Sequence, residues 1–336
     1  MRTVIIGAGA VGGVIAAVLK KKGYDIELVA RHPDLAMKIK QEGIHAYGHC
    51  GDIKVTIPTM ASVNDLDGKY DLALLAVKGY DLPGAAKDLL PYLKEGSRVV
   101  SLQNGICEEA LAEIVGVERT VGCSVGWGAT MHGPGEVEMT SGGEFVIGNW
   151  KRGKDDKLEK IANILSNVVG VRITDEVESG LYSKLIINSC ITTLGVITGL
   201  YLGEMLAMRK ARDVFIQIIR EAMDVANAMK LDVDPYAQKL NYYKFLRKGF
   251  LSGFKRHVTI RVIGHKYRKL KSSSLQSVER GKRTEVDNYN GYIAGKGKEL
   301  GVQTPVNVQL TKMVKEIEKG ERNISQANLG EIKLST

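Results

Sequence analysis

The first thirteen residues constrain this chain more than any other stretch. Thr3–Ile6 (TVII) is a β-branched apolar run of the length expected for a buried strand. It runs directly into Gly7-Ala8-Gly9-Ala10-Val11-Gly12, spaced G-x-G-x-x-G, and Val14–Leu19 then continues as an apolar helical pattern. Each glycine has a physical reason to be there. Gly7 permits the tight turn, Gly9 lets a pyrophosphate approach bare backbone, and Gly12 lets the helix lie close on the sheet. The unpaired N–H groups of Ala8–Gly12 would face the phosphates, with the helix dipole behind them. Strand, glycine turn and helix in that order predict a dinucleotide-binding α/β fold.

A flanking Arg2 and Lys20-Lys21-Lys22 give this stretch a superficial likeness to an export signal. Four glycines break its apolar core and no small-x-small cleavage site follows, so the expectation is a cytoplasmic protein. No segment reads as long and apolar enough to span a bilayer, and no membrane partner is expected. The 336 residues suffice for two domains with cores of their own. The formal charge of +9 suits phosphate or carboxylate ligands without implying nucleic acid, and none is expected. Cys50, Cys107, Cys123 and Cys190 are scattered without a C-x-x-C, as in a reducing compartment. His45, His49 and Cys50 lie close together but lack a second ligand pair, so no metal is expected.

Asp25–Ala30 (DIELVA) reads as the second strand, and the residue just past it selects the cofactor. An acid there would hold both ribose hydroxyls of NAD, whereas a base accommodates the 2′-phosphate of NADP. The chain reads Ala30-Arg31-His32, which favours NADP(H), the alternative being an Arg31 that only decorates the surface. Ile53–Ile57 and Asp71–Val77 read as further strands, the latter continuously apolar as a covered parallel strand should be. Lys78 then sits at a carboxyl strand end, where open α/β sheets bind ligands. Ser97–Leu102 leads into Gln103-Asn104-Gly105; Asn-Gly commonly marks only a turn, but here Asn104 could reach cofactor or substrate. Thr120–Trp127 reads as the last crossover strand, with Gly128-Ala129 as its loop, and Gly133-Pro134-Gly135 as a turn between short strands. A helix over Asp156–Val169 closes this part.

Beyond about Glu176 the pattern is helical only. Glu178–Leu194 places Lys184 and Asn188 one turn apart on one face, among apolar neighbours. Burying them would be costly without partners, and by themselves they read equally as a solvated stripe. Ala211–Met229 is a long amphipathic helix. Asn241–Lys271 is densely basic and interleaved with Tyr242, Tyr243, Phe245, Phe250 and Phe254; the expectation is a solvated face with the aromatics turned inward. Ser272 opens a possible helix cap, and Val306–Ile317 reads as the final helix.

With GAGAVGG, AVKGYD, QNG, SKLIIN, SSSLQ and GKRTEVDNYNGYI in this order and spacing, the chain resembles the ketopantoate reductase (2-dehydropantoate 2-reductase) family over nearly its full length. That resemblance implies a Rossmann domain over 1–172, doubly wound on a mostly parallel sheet. It also implies an all-α substrate domain over 176–336 of the 6-phosphogluconate dehydrogenase C-terminal type. The implied reaction is reduction of a 2-keto acid by NADPH, most directly ketopantoate to pantoate in pantothenate and coenzyme A synthesis. Lys184 would be the general acid and Glu285 the carboxylate that keeps it protonated and holds the nicotinamide ribose. Asn188 and Ser273 would bind substrate and Asn104 would bridge substrate and cofactor. Arg31 and Lys78 would take the 2′-phosphate end, and Ala129 would offer backbone to the nicotinamide half.

The departures bear on the substrate. Thr192, Leu202 and Leu270 stand where the resemblance expects asparagines, and Ser274 and Ser277 replace a methionine and an aspartate. The basic segment is also longer than usual. The same hydride chemistry on another branched or larger 2-keto acid is therefore a second reading, and a non-catalytic NADP sensor a third. The residues leave monomer and homodimer open.

Overall fold

The structure is a computed structural model that describes residues 1–151 and 153–334; Ser335 and Thr336, at the end of the expected second domain, lie outside the described residues. The chain divides into two compact units, Met1–Leu181 and Tyr182–Thr336.

The first unit begins with β1 (Thr3–Ile6), α1 (Ala10–Lys21), β2 (Ile26–Val29), α2 (Pro33–Glu42), β3 (Ile44–Gly48), β4 (Ile53–Val55), β5 (Thr59–Met60) and β6 (Tyr70–Leu75). It continues with α3 (Leu82–Leu89), β7 (Leu93–Ser101), α4 (Glu108–Val115), β8 (Thr120–Val125), β9 (Gly128–Gly133), β10 (Glu136–Ser141), β11 (Glu144–Asn149), α5 (Asp156–Leu165) and β12 (Gly170–Ile173). Eight strands form the main sheet in the order β12-β11-β8-β7-β6-β1-β2-β5. Every neighbour pair in it is parallel except β11 with β8. The order reverses at β1, so the carboxyl end of that strand is the switch point where α/β sheets bind ligands. β1 and β6 are wholly or almost wholly buried, as strands covered on both faces must be. One core packs Leu82, Ala86, Leu89 and Leu111 against the sheet, and the other packs α1 and α5 against its opposite face.

Part of that second face departs from the sequence expectation. β4, β3, β10 and β9 form a separate four-stranded sheet, in that order, that covers α1. Ile53–Val55 thus belongs to this smaller sheet, and Gly128-Ala129 opens a strand rather than a loop. The close fit depends on Gly13: a Cβ there would lie 3.0 Å from Val137 on β10. Nothing in the local pattern of these short strands distinguishes one sheet from the other, because that choice is made by non-local partners.

The second unit is helical: the rest of α6 (Val177–Thr198), α7 (Leu202–Ala207), α8 (Arg209–Ala228), α9 (Tyr242–Leu246), α10 (Ser252–Lys266), α11 (Ser273–Glu279), α12 (Asn290–Leu300), α13 (Pro305–Glu318) and α14 (Asn328–Glu331). α6 is apolar on almost every side, the mark of an interior helix. By length and composition it could cross a membrane, contrary to expectation, yet 78 % of that stretch is buried in the fold. Two fully buried tyrosines brace it. Tyr182 donates to the Ala222 carbonyl of α8 at 2.7 Å, and Tyr242 donates to the Ser183 carbonyl at 2.6 Å. Burial raises both phenols well above their ordinary range, so both stay neutral donors. The expected final helix is α13, and the short α14 follows it.

Candidate active site

In the first unit, three glycines play three separate roles. Gly7 has φ +113°, and a Cβ on it would meet the Ala76 carbonyl at 2.8 Å. A Cβ on Gly12 would fall 2.0 Å from the Gly7 oxygen, so the helix crosses the turn with no room for a methyl group. Gly9, the N-cap of α1, has nothing within 4 Å of its Cβ position. That open space is where a diphosphate would lie. The first intrahelical bond runs from Gly13 N to Gly9 O at 2.8 Å, which leaves the N–H groups of Ala10, Val11 and Gly12 without helical partners. With no acid in the first turn to compete, the cradle fits a dinucleotide pyrophosphate.

Two more strand ends meet nearby. Arg31, just past β2, forms an ion pair with Asp81 in the 3₁₀ turn that follows Lys78, the turn's N-cap. Both Arg31 and Lys78 are solvent-exposed at this edge. Asn104 is half-buried just beyond β7, next to a residue not foreseen as functional. Gln103 is buried, accepts from the Ser101 hydroxyl at 2.8 Å and donates to the Leu75 and Val77 carbonyls at 2.8 and 3.0 Å. It therefore clamps the end of β6, immediately before Lys78, to the end of β7, immediately before Asn104. Glu108 lies close by, fully buried, with its Oε2 accepting from Cys107 N at 2.9 Å. Burial pushes its carboxyl up to about 7, against the pull of its hydrogen bonds. Ala129 is half-buried on β9, paired with Met139 of β10.

In the second unit, the decisive pattern is on α6. From Leu181 to Thr198 every residue is buried except Lys184, Asn188 and Ile191. These lie at i, i+4 and i+7, one open line along an otherwise enclosed helix. The alternative of a broad solvated stripe is thereby removed. Thr192 is buried and its hydroxyl donates to the Asn188 carbonyl at 2.6 Å, so it is spent on its own helix.

The serine motif is seated on the same helix. Ser272 caps α11 by accepting from Leu275 N at 3.2 Å, and its hydroxyl donates to the Thr192 carbonyl at 3.4 Å. Gly195 makes this approach possible, since a Cβ there would lie 2.5 Å from the Ser272 oxygen. Ser273 itself is exposed at the start of α11. Leu202 and Leu270 are joined through their backbones, Leu202 N donating to the Leu270 carbonyl at 2.9 Å.

Glu285 is buried and heads the 3₁₀ turn Val286–Asn288. The segment bearing it is tied down at both ends. Thr284 N donates to Glu318 of α13 at 2.6 Å. Asn290 accepts from the Thr193 hydroxyl of α6 and donates to Asn307 Oδ1 at 2.9 Å. Asn307 in turn donates to Glu221 Oε2 at 2.7 Å, and Glu221 also accepts from the N–H groups of Val306 and Asn307, each at 3.0 Å. All four side chains of this relay are buried, and every donor in it points toward Glu221. The polar residues Thr193, Asn307 and Glu221 carry no motif; only the fold shows that they face one another. Among the described residues no group of three or more His, Cys, Asp or Glu is arranged to hold a metal.

Residues 3–152 match the family ketopantoate reductase PanE/ApbA, and residues 176–318 match its C-terminal part, ketopantoate reductase PanE/ApbA C terminal. A 2-dehydropantoate 2-reductase of Pyrococcus abyssi is 27 % identical over 319 residues, covering 94 % of this chain and 97 % of its own. The crystal structure of a PanE/ApbA family ketopantoate reductase from Ralstonia eutropha superposes with a TM-score of 0.81 at 28 % identity, over 96 % of this chain and 100 % of the other. D-mandelate dehydrogenase, solved with NADH and anilino(oxo)acetate, shares the fold at a TM-score of 0.80 and 23 % identity, over 95 % and 99 % of the two chains.

Proposed function

The chain belongs to the ketopantoate reductase PanE/ApbA family, and from that premise we propose that it reduces 2-dehydropantoate to pantoate with NADPH. In this reading residues 1–172 hold the cofactor and residues 176–336 hold the substrate. The observation that carries it is the open line on α6, where a lysine and an asparagine are the polar groups left accessible on a buried helix.

NADPH, when bound, supplies the hydride that adds to the substrate's carbonyl carbon. The rest is work for the chain. The N–H groups of Ala10, Val11 and Gly12 hold the pyrophosphate, and Arg31 with Lys78 hold the 2′-phosphate. Lys184 donates a proton from Nζ to the carbonyl oxygen as negative charge develops there, and its ammonium stabilises that charge beforehand. Asn188 and Ser273 hydrogen-bond the substrate, and Asn104 orients it toward the cofactor. Glu285 keeps the lysine in its ammonium form and binds the ribose. The product is the 2-hydroxy acid, with one hydride on carbon and one proton on oxygen.

A specific observation supports a second substrate. Two of the three positions where asparagines were expected are leucines, and the third, Thr192, has its hydroxyl turned back onto α6. Fewer polar groups remain to grip a hydroxylated skeleton, which favours a larger or more apolar 2-keto acid. The test is NADPH oxidation with 2-dehydropantoate beside bulkier 2-keto acids, repeated with Lys184→Ala. We expect turnover of 2-dehydropantoate and a loss of about 10²- to 10⁴-fold in kcat in the variant. Faster turnover of a bulkier acid, equally lost in the variant, would move the substrate and keep the mechanism. No oxidation with any acid would end the reductase reading.

A further inference from the structure

Apart from Leu270 near its end, the basic segment 241–271 takes no part in the site just described, and its geometry differs from the sequence expectation. Tyr242 turns inward, but Phe250 is 95 % exposed and Phe254 67 %. α10 crosses this segment with Ile260 and Gly264 buried, and Gly264 is so close to Leu206 that a Cβ would lie 2.7 Å away. On the opposite side Phe254, Val258 and Val262 stand at i, i+4 and i+8, so they form one line facing solvent. Phe250 and Leu251, both exposed, extend the line beyond the helix N-terminus. At 100° per residue, Lys255 and Lys266 flank the line on one side and Arg261 and His265 on the other. All four are exposed.

The charge of this face is uncompensated. Residues 241–271 contain ten lysines and arginines and no aspartate or glutamate. Among the described residues Lys271, 2.6 Å from Glu279, is the one Lys or Arg of the segment in an ion pair. Elsewhere surface cations find carboxylates, as Lys94 does with Asp71, Lys154 with Asp175 and Arg172 with Glu144.

An apolar line edged by cations matches a partner that is apolar beneath a layer of anions. We propose that α10, with Phe250 and Leu251, docks on the surface of an anionic phospholipid bilayer. Phe250, Leu251, Phe254, Val258 and Val262 enter the boundary between headgroups and acyl chains, while Lys255, Arg261 and Lys266 reach headgroup phosphates on either side. A second copy seated on this face would set like charges against like. A nucleic acid would meet the cations but leave Val258 and Val262 with nothing apolar to cover them. The proposal replaces the expectation that the chain has no membrane partner.

The test is co-sedimentation of the full-length protein with vesicles of phosphatidylglycerol and phosphatidylcholine in equal parts, against pure phosphatidylcholine vesicles, at about 0.15 M salt. Two variants accompany it, Phe250→Ser with Phe254→Ser, and Lys255→Gln with Arg261→Gln and Lys266→Gln. Both should keep wild-type NADPH oxidation and unfolding temperature, since none of these residues packs in the core. We expect the anionic vesicles to bind at least about tenfold better than neutral ones, and either variant to lose about tenfold. Failure to bind anionic vesicles overturns the proposal. So does undiminished binding by the serine variant, which would reduce the effect to charge alone. If the serine variant instead turns a dimer into a monomer by light scattering, without vesicle binding, the face joins two copies. Tight binding of a poly(U) oligonucleotide without vesicle binding would assign it to nucleic acid.

Discussion

The glycine turn of the first unit and the lysine helix of the second prepare for ligands by opposite means. The turn would work by leaving side chains out: backbone N–H groups would do the binding, and Gly9 leaves the space around them clear. On α6, in the proposed reading, the side chains would do the binding, and other side chains hold them in place. A backbone site is encoded within a dozen consecutive residues, whereas the α6 site depends on a relay from Thr193 through Asn290 and Asn307 to Glu221, residues up to 114 positions apart. The two should therefore fail differently when damaged.

The largest effect separates two glycines of one motif. Gly12→Ala drives a methyl group to 2.0 Å from a backbone oxygen and should cost about 3 kcal/mol or more, read as a lower denaturant midpoint. Gly9→Ala places its methyl in empty space at an ordinary φ of −79° and should leave stability nearly unchanged. It should still weaken NADPH binding by about tenfold or more, because the phosphates need that space. Equal loss of stability in both would break the contrast.

Next is the relay in the helical unit. Asn290→Ala leaves the Thr193 hydroxyl and the Asn307 side-chain Oδ1 without these partners in the core, a cost of about 2–4 kcal/mol. Adding Thr193→Val removes one of the orphaned groups and should recover about 1 kcal/mol. At temperatures where the variant is folded, kcat should fall by a larger factor than NADPH affinity, since the phosphates are held in the other unit and only the Glu285 contact to the ribose is disturbed. A matching loss of NADPH affinity would show that the two sites are not separable in this way.

A third effect belongs to the first unit and follows pH. Glu108 titrates near 4.5 when unfolded, but burial raises it to about 7 in the fold. Between these values the native state binds more protons than the unfolded one, so stability falls as pH rises through the window. From pH 5 to 7 the loss amounts to about 2 kcal/mol, and it levels off above that. Urea titrations at several pH values should show this slope, and Glu108→Gln should flatten it. The smallest effect is at the edge of the main sheet. Arg31→Ala should reduce the preference for NADPH over NADH by about tenfold. Its exposed pair with Asp81 contributes little, so stability should hardly change.

Legibility in the sequence follows the same division. Strand, turn and first helix could be read in order because each signal lies beside the residues it governs. Lys184 and Asn188 could be placed on one face, but not on an open line of a buried helix, because the covering residues come from distant elements. Ser272 could be read as a helix cap, which it is, but its seat against Gly195 could not, because a mid-helix glycine reads as a weak helix former until its neighbour is known. Gln103 was visible only as part of a turn, although its side chain ties two strand ends together. The outward-facing aromatics beside α10 were misread for a related reason, since periodicity shows that a helix has two faces without saying which one the rest of the chain covers.

By itself, then, the sequence determined the dinucleotide turn, the change from alternating to purely helical pattern, the basic residue after β2 and the family resemblance. Each depends on local spacing or on residue order along the chain. Only the tertiary structure decided that a second sheet covers α1, that α6 is open along one line, that a buried relay secures the Glu285 segment, and that Phe250 and Phe254 face outward. Those outcomes are set by contacts between residues far apart in sequence, where burial and hydrogen-bond satisfaction are settled jointly by several elements.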